Sequence, residues 1–354
     1  MVEALVAAGG TQVWVFDNLH PQVHGPDARI PPVPESVKVL LGDVRDKRSL
    51  DQAFLEASPT CVVHLAAETG TGQSKHEIRR YCDVNVSGTA NVLECMRDHR
   101  DQIRRLVLPS SRAVYGEGLY CDASGNEIVP PARDCEAMTA GDFLLRDDDG
   151  EPLHPQSTRE DVMISPASIY GSTKYMQELL AFQAAVGETW DPVVFRFQNV
   201  YGPGQSLTNP YTGVLSIFCA QALQGQTLNV YEDGEIVRDF VYVDDVVAAI
   251  MLGAGSEMKA GVYNVGSGQA VSIRYVAESM LRLMGLQRDS CKVSGDFRDG
   301  DIRHAVADIS RIESATGWRA LTTLEDGLER LIESAKISLR DREINGRCLD
   351  AEDS

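Results

Sequence analysis

The sequence predicts an α/β fold: a doubly wound parallel sheet followed by a smaller second domain. Three observations predict it. Apolar strands alternate with helices at the spacing of βαβ units, chemistry-bearing residues cluster at the strand ends, and 354 residues suffice for one large unit or two intimate ones. Right-handed crossovers then set the strand order.

The chain begins inside a helix over 2–8, stopped by Gly9-Gly10, and a buried strand over 13–16 leads to Asp17. A Pro- and His-rich loop covers 20–34. Next come a strand over 37–41, a helix over 49–57, a strand over 61–66, a helix over 84–97 and a strand over 105–109. From 120 to 159 the periodicity breaks into a Gly-, Pro- and Asp-rich insertion, a length that in compact domains carries function or mobility. Ser165-Pro166 reads as the cap and first position of a helix whose Ile169, Met176, Leu179, Leu180 and Phe182 suit packing on a sheet. A strand over 193–197, a loop over 199–213 and a helix over 214–223 follow. The remainder alternates strands (228–231, 238–242, 261–265) with helices (244–252, 273–284, 324–339), and the polar stretch from 341 is expected to fray. The expected division is a first domain over 1–198, interrupted by 120–159, and a second over 199–354, of which 236–265 returns to the first domain's sheet.

Composition narrows the partners. With 43% hydrophobic and 24% charged residues and no long apolar run, the chain reads as globular and without a membrane span. A net charge of −19 argues against nucleic acid and anionic membrane, so any anionic ligand needs a local cluster of Arg or Lys. The eight cysteines are scattered and read as reduced thiols; with no signal peptide visible, the cytoplasm is the expected location.

Tyr170 and Lys174 lie four apart on one helix and share a face. An adjacent ammonium stabilises a phenolate, but reaching neutral pH from ~10 takes about 3 pH units, roughly 4 kcal/mol. One lysine supplies part of that, and a cationic cofactor ring nearby would help. Alone, the pair is equally an exposed Tyr and Lys on a surface helix. Ser111, in Pro109-Ser-Ser111-Arg-Ala-Val-Tyr115-Gly, ends a strand at the carboxyl edge, where open α/β sheets bind ligands beside such a tyrosine. Asp17 and Asn18 also end a strand. In a dinucleotide fold, the Asp17 carboxylate accepts from the adenosine ribose and repels a 2′-phosphate, favouring NAD over NADP. Asp43, followed by Val44, ends the next strand and is placed for adenine, while the small residues of Leu65-Ala-Ala67 admit a flat cofactor.

Asp17, Leu65-Ala66-Ala67, Ser111 with Val114-Tyr-Gly116, Tyr170-x-x-x-Lys174, Arg196-Phe-Gln-Asn199-Val-Tyr-Gly-Pro203, Arg238-Asp-Phe-Val-Tyr-Val-Asp-Asp245 and Tyr263-Asn-Val-Gly266 stand in this order. The set resembles the extended short-chain dehydrogenase/reductase superfamily, and within it the NAD-dependent nucleotide-sugar epimerase/dehydratase group, over nearly the whole chain. The resemblance implies a Rossmann domain for NAD and a C-terminal domain for a nucleoside-diphosphate sugar, dTDP- or UDP-linked. It also implies a homodimer paired through the Tyr170 helix and the helix over 85–97. By position it makes Ser111, Tyr170 and Lys174 the catalytic triad. Asp17, Asn18, Asp43, Val44, Leu65, Ala66 and Ala67, with Tyr170 and Lys174, would hold NAD; Ser111, Asn199, Arg238 and Arg303 would hold the substrate.

The departures sharpen the reaction. In the 4,6-dehydratases the hydroxyl residue is followed by Asp-Glu, and related decarboxylases tend to carry Glu where Ala113 stands, whereas this chain has Arg112-Ala113. That leaves C4 epimerisation through a transient 4-keto sugar as the expected reaction, with a 4-ketoreductase or a non-catalytic binding relative as alternatives. The stretches over 64–74, 114–118 and 209–218, and the insertion, are most similar to dTDP-L-rhamnose 4-epimerase-type enzymes of polysaccharide biosynthesis. Some such relatives carry Cys-x-x-Cys knuckles in the insertion; here only Cys121, Cys135 and His154 remain, without paired spacing, and no metal is expected. The family's opening strand and Gly-rich phosphate turn, about 20 residues, are not found ahead of the first helix, so this sequence is expected to be truncated there.

Overall fold

The structure, a computed structural model, describes residues 1–25, 30, 32–207, 209, 213–298 and 300–352, with side chains to 340 apart from 288. Residues 26–29 and 31 of the early loop, and 210–212 of the motif over 209–218, lie outside the described residues.

The elements that position the site are, in order, α1 (Val2–Ala8), β1 (Trp14–Asp17), β2 (Lys38–Leu41), α2 (Lys47–Ala57), β3 (Cys61–Val63), α3 (Gly88–Asp98), β4 (Arg105–Ser111), α4 (Ile169–Ala184) and β5 (Asp191–Phe197). There follow β6 (Asn199–Tyr201), α5 (Val214–Leu223), β7 (Leu228–Val230), β8 (Phe240–Tyr242), α6 (Val243–Ala254), β9 (Gly261–Val265), α7 (Ile273–Leu283), β10 (Cys291–Val293) and α8 (Leu324–Glu352). Four parallel strands, ordered β9-β5-β4-β3, form the centre of the first domain. Alternation along β4 shows why helices cover both faces. Leu106 and Leu108 enter a core with Leu50, Phe54, Leu93, Met96 and Trp190, whereas Val107 enters the opposite core with Phe195, Val246, Ile250 and Val265.

The predicted single sheet is in two pieces. β1 pairs in parallel with β2 alone, and among the described residues no strand joins β1 to β3. β9 lies in the four-stranded sheet, but β8 pairs with β6, and Val237–Arg238 pairs with Val271–Ser272 and His304–Ala305. A separate core of α5, α7 and α8 residues, among them Phe218, Met280, Leu328 and Ile332, defines the second domain.

Three expectations need correction. α4 starts at Ile169, not at Ser165. The Ser168 side chain accepts the Gly171 N–H at 3.0 Å, while the Ser165 N–H is spent on the Val114 carbonyl. α4 also turns an unexpected face inward: Thr173, Lys174, Gln177, Glu178 and Ala181 are buried, while Met176 and Leu179 are 46% and 49% exposed. Finally, α8 continues past 341 to Glu352, as no proline interrupts it and Leu328, Leu331, Ile332 and Ala335 anchor it. The insertion is more ordered than its composition suggests. Tyr120–Cys121 pairs antiparallel with Glu127–Ile128 and His154–Pro155 over a small core of Tyr120, Leu145 and Leu153.

Candidate active site

The carboxyl tips of β4 and β5 open onto a cavity of about 400 Å³ whose far wall comes from the second domain. Ser111, the last residue of β4, presents its hydroxyl to the Tyr170 hydroxyl at the start of α4 and accepts the Ala113 N–H at 3.1 Å. Two glycines let these segments touch. A Cβ on Gly171 would collide with the Ala113 carbonyl, and one on Gly116, at φ +63°, with that of Ser165. The Tyr170 N–H donates to the Ser74 hydroxyl at 3.1 Å, and the Tyr81 ring meets Tyr170 edge-on with centroids 6.4 Å apart.

Lys174 sits one turn on, only 4% exposed. Burial pulls its ammonium down to about 8; Glu178 opposes this, but that carboxylate is also bonded by Ser110 and, at 2.7 and 3.0 Å, by Arg196. The sequence reading expects Lys174 to lower Tyr170. In the structure the phenol is instead raised by burial, with the Ser111 hydrogen bond opposing, because desolvation penalises the phenolate. Behind Lys174, His64 bonds Thr89 at 2.9 Å, Gln177 donates to the same hydroxyl, and burial with the nearby Lys174 charge takes the imidazole to about 3.

The expected cofactor residues lie along the tips of β1 to β3. Asp17 accepts the Leu19 N–H at 2.7 Å and keeps a side chain 42% exposed. Asp43 is held well below the usual carboxylate range by its Arg45 hydrogen bonds, and Asn18 donates to it at 2.9 Å. Leu65 is exposed, with Ala66 and Ala67 half-buried beside it. Val44 differs: its side chain is in the core and its carbonyl is taken by Asn91.

On the substrate side, Asn199 and Arg238 line the cavity, and Arg238 donates to Asp301 at 2.7 Å. Asp239, next in sequence, faces away and accepts from the backbone at Ser267, Gly268 and Ala307. Arg303 is misplaced by the sequence reading. Its guanidinium is bonded to both oxygens of Asp233 and to Glu232, and it does not line the cavity. Arg298 does, lying 5.0 Å over the Tyr231 ring. Sequence reasoning also missed Arg112 as a ligand-facing group. It lines the cavity, donates to the Gly116 carbonyl, and is drawn down to about 10 by burial and then by Arg238. Gln198 and Gln221 add buried side-chain oxygens without a partner. Among the described residues no group of three or more His, Cys, Asp or Glu could hold a metal ion, and no helix is long and apolar enough to cross a membrane.

The arrangement is a pair of hydroxyls beside a buried lysine, facing a wall of guanidinium groups. Residues 1–266 match the family model described as NAD dependent epimerase/dehydratase family. The dTDP-L-rhamnose 4-epimerase of Burkholderia thailandensis is 38% identical over 327 residues, covering 92% of this chain and 88% of the relative. The UDP-glucose 4-epimerase of Thermotoga maritima, solved with UDP-glucose, superposes with a TM-score of 0.76 at 26% identity, covering 96% and 95% of the two chains. That of Thermus thermophilus, solved with NAD, gives 0.72 at 28% identity over 94% and 93%. The chain belongs to the NAD dependent epimerase/dehydratase family.

Proposed function

We propose that the protein epimerises C4 of a nucleoside-diphosphate sugar through a transient 4-keto sugar, with NAD as cofactor. The cavity wall carries this reading. Ser111 and Tyr170 stand on it, and among its described residues the sole carboxylate, Asp301, is committed to Arg238. Elimination or decarboxylation asks for a free acid or base, whereas redox at one carbinol needs hydroxyls and a lysine. When bound, NAD takes up and returns the C4 hydride. The residues fit it in part: Asp17 holds a half-exposed carboxylate at a strand tip, 3.6 Å from His24, the small Ala66 and Ala67 follow β3, and Lys174 is a buried cation.

Tyr170 removes the proton of the C4 hydroxyl and later returns it, after the ring has turned over in the cavity. Ser111 holds the same oxygen, and Lys174, one turn away, is the protein's own counter-charge for the phenolate. Arg112, Arg238 and Arg298 offer the diphosphate the cationic cluster that a chain of net charge −19 must concentrate. The Tyr231 ring beside Asn229 suits the base. Exposed Met176 and Leu179 on α4 support a homodimer through that helix, and the thiols of Cys61, Cys82, Cys95, Cys121, Cys219 and Cys291, free of disulfides, support a cytoplasmic setting, as for enzymes of polysaccharide biosynthesis.

The test incubates purified protein and NAD with dTDP-L-rhamnose and, separately, UDP-glucose, and separates the products by chromatography. Interconversion of C4 epimers without net consumption of cofactor is expected. Stoichiometric oxidation of added NADH would point to a ketoreductase, and no epimer from either sugar would sink the proposal.

A further inference from the structure

We infer that Arg133, in the 120–159 insertion, is a positioning residue that sets nucleotide affinity by locking together the segments of the cavity's far wall. The inference rests on the nucleotide-sugar reading above. The Arg133 side chain is 2% exposed and bonds both oxygens of Glu232, at 2.8 and 2.7 Å. It also donates to the Asp301 carbonyl at 2.8 Å and lies 3.5 Å from Glu117. Each partner belongs to a wall segment. Glu232 follows Tyr231, and its backbone sits at φ +53°, a strained conformation for a non-glycine residue that the surroundings must enforce. Asp301 orients Arg238, and Glu117 ends the loop that carries Arg112 and accepts the Arg303 N–H.

Among its described residues the segment 294–302 carries Arg298 and has no strand or helix of its own. Its backbone is tied to Glu232 in both directions, the Glu232 N–H donating to Asp296 and the Gly295 N–H to Glu232. Arg133 thus does for this segment what secondary structure does for Ser111 and Tyr170. The planar guanidinium matters, since it meets a carboxylate with two bonds and a carbonyl besides, which an ammonium on a flexible stem cannot reproduce.

The experiment compares wild type with Arg133→Lys and Arg133→Met, using UDP and dTDP as calorimetric probes, kinetics with an epimerised sugar, and amide hydrogen exchange. In both variants the dissociation constants should rise about tenfold or more, KM should rise in parallel, and kcat should stay within about twofold. Exchange should quicken at 231–236 and 294–302 but not in β4 or β5. Unchanged nucleotide affinity in a folded variant, or a loss confined to kcat, overturns the inference. Should Arg133→Met not fold, Arg133→Lys alone decides, because it keeps the charge. Wild type that binds neither probe would refute the nucleotide-sugar reading, whereas the exchange result would still report whether Arg133 holds the two segments.

Discussion

The two ends of the cavity are built on opposite electrostatic principles. At the Ser111 end the groups that react are dehydrated and sparsely compensated: burial raises the Tyr170 phenol and lowers Lys174 to about 8. At the arginine end Arg238 is answered by Asp301 and, behind the wall, Arg133 and Arg303 by Glu232, while Arg112 has only the Gly116 carbonyl. The first end holds its ionisable groups away from charge. The second holds most of its guanidinium groups in ion pairs. On the proposed function, that separation would let one acidic chain hold a diphosphate without pairing its own acid–base residues.

The contrast is tested most severely by Tyr170→Phe. Turnover should fall by about 10²–10⁴-fold while UDP and dTDP bind within a few-fold of wild type, by calorimetry beside steady-state kinetics. Comparable losses in both would mean the two ends are not separate. Next in size is Arg238→Gln, which removes a charged donor and leaves Asp301 unanswered. KM should rise by about 10–100-fold with kcat little changed.

Lys174 offers a sign test in stability. Its folded pKa, about 8, lies below the ordinary 10.5, so between those values the unfolded chain holds more protons and stability rises with pH. Below about 8 the full cost is present, of the order of 3 kcal/mol at ~1.36 per pH unit. Urea unfolding of cofactor-free wild type and Lys174→Met from pH 7 to 10.5 should show that rise in their difference. The Met variant should be the more stable near pH 7 and inactive as a catalyst. A flat difference would remove the claim that the reaction end is under electrostatic tension. The smallest expected effect is structural: Ser168→Ala should cost about 1 kcal/mol, seen as a lower urea midpoint.

Legibility in the sequence follows the same division. Ser111, Tyr170 and Lys174 can be read because each is marked by its place in a regular element, a strand tip or one helix face. Arg298 cannot, since it stands in a segment without periodicity, and only the folded chain brings it over the Tyr231 ring on the cavity wall. The choice of Arg303 fails for the same reason: nothing in the linear chain shows that Asp233 and Glu232 have claimed it. The α4 apolar pattern misleads because Lys174, Gln177 and Glu178 take the inner face, Gln177 bonded to Thr89 and Glu178 to Arg196, which turns Met176 and Leu179 outward. The order in the insertion is not legible at all, since its paired strands are only two residues long and stand among Gly- and Asp-rich turns.

The close approach of Gly171 to the Ala113 carbonyl has a consequence for how this fold can vary. With no side chain between them, the spacing of Ser111 and Tyr170 is a backbone-to-backbone dimension, independent of the size of any neighbouring residue. Helix α4 can therefore change nearly all its outward surface, and with it whatever it packs against, while the two hydroxyls keep their gauge. One methyl group at position 171 would act as a shim, lifting the whole helix from the strand tip and parting the pair in a single step.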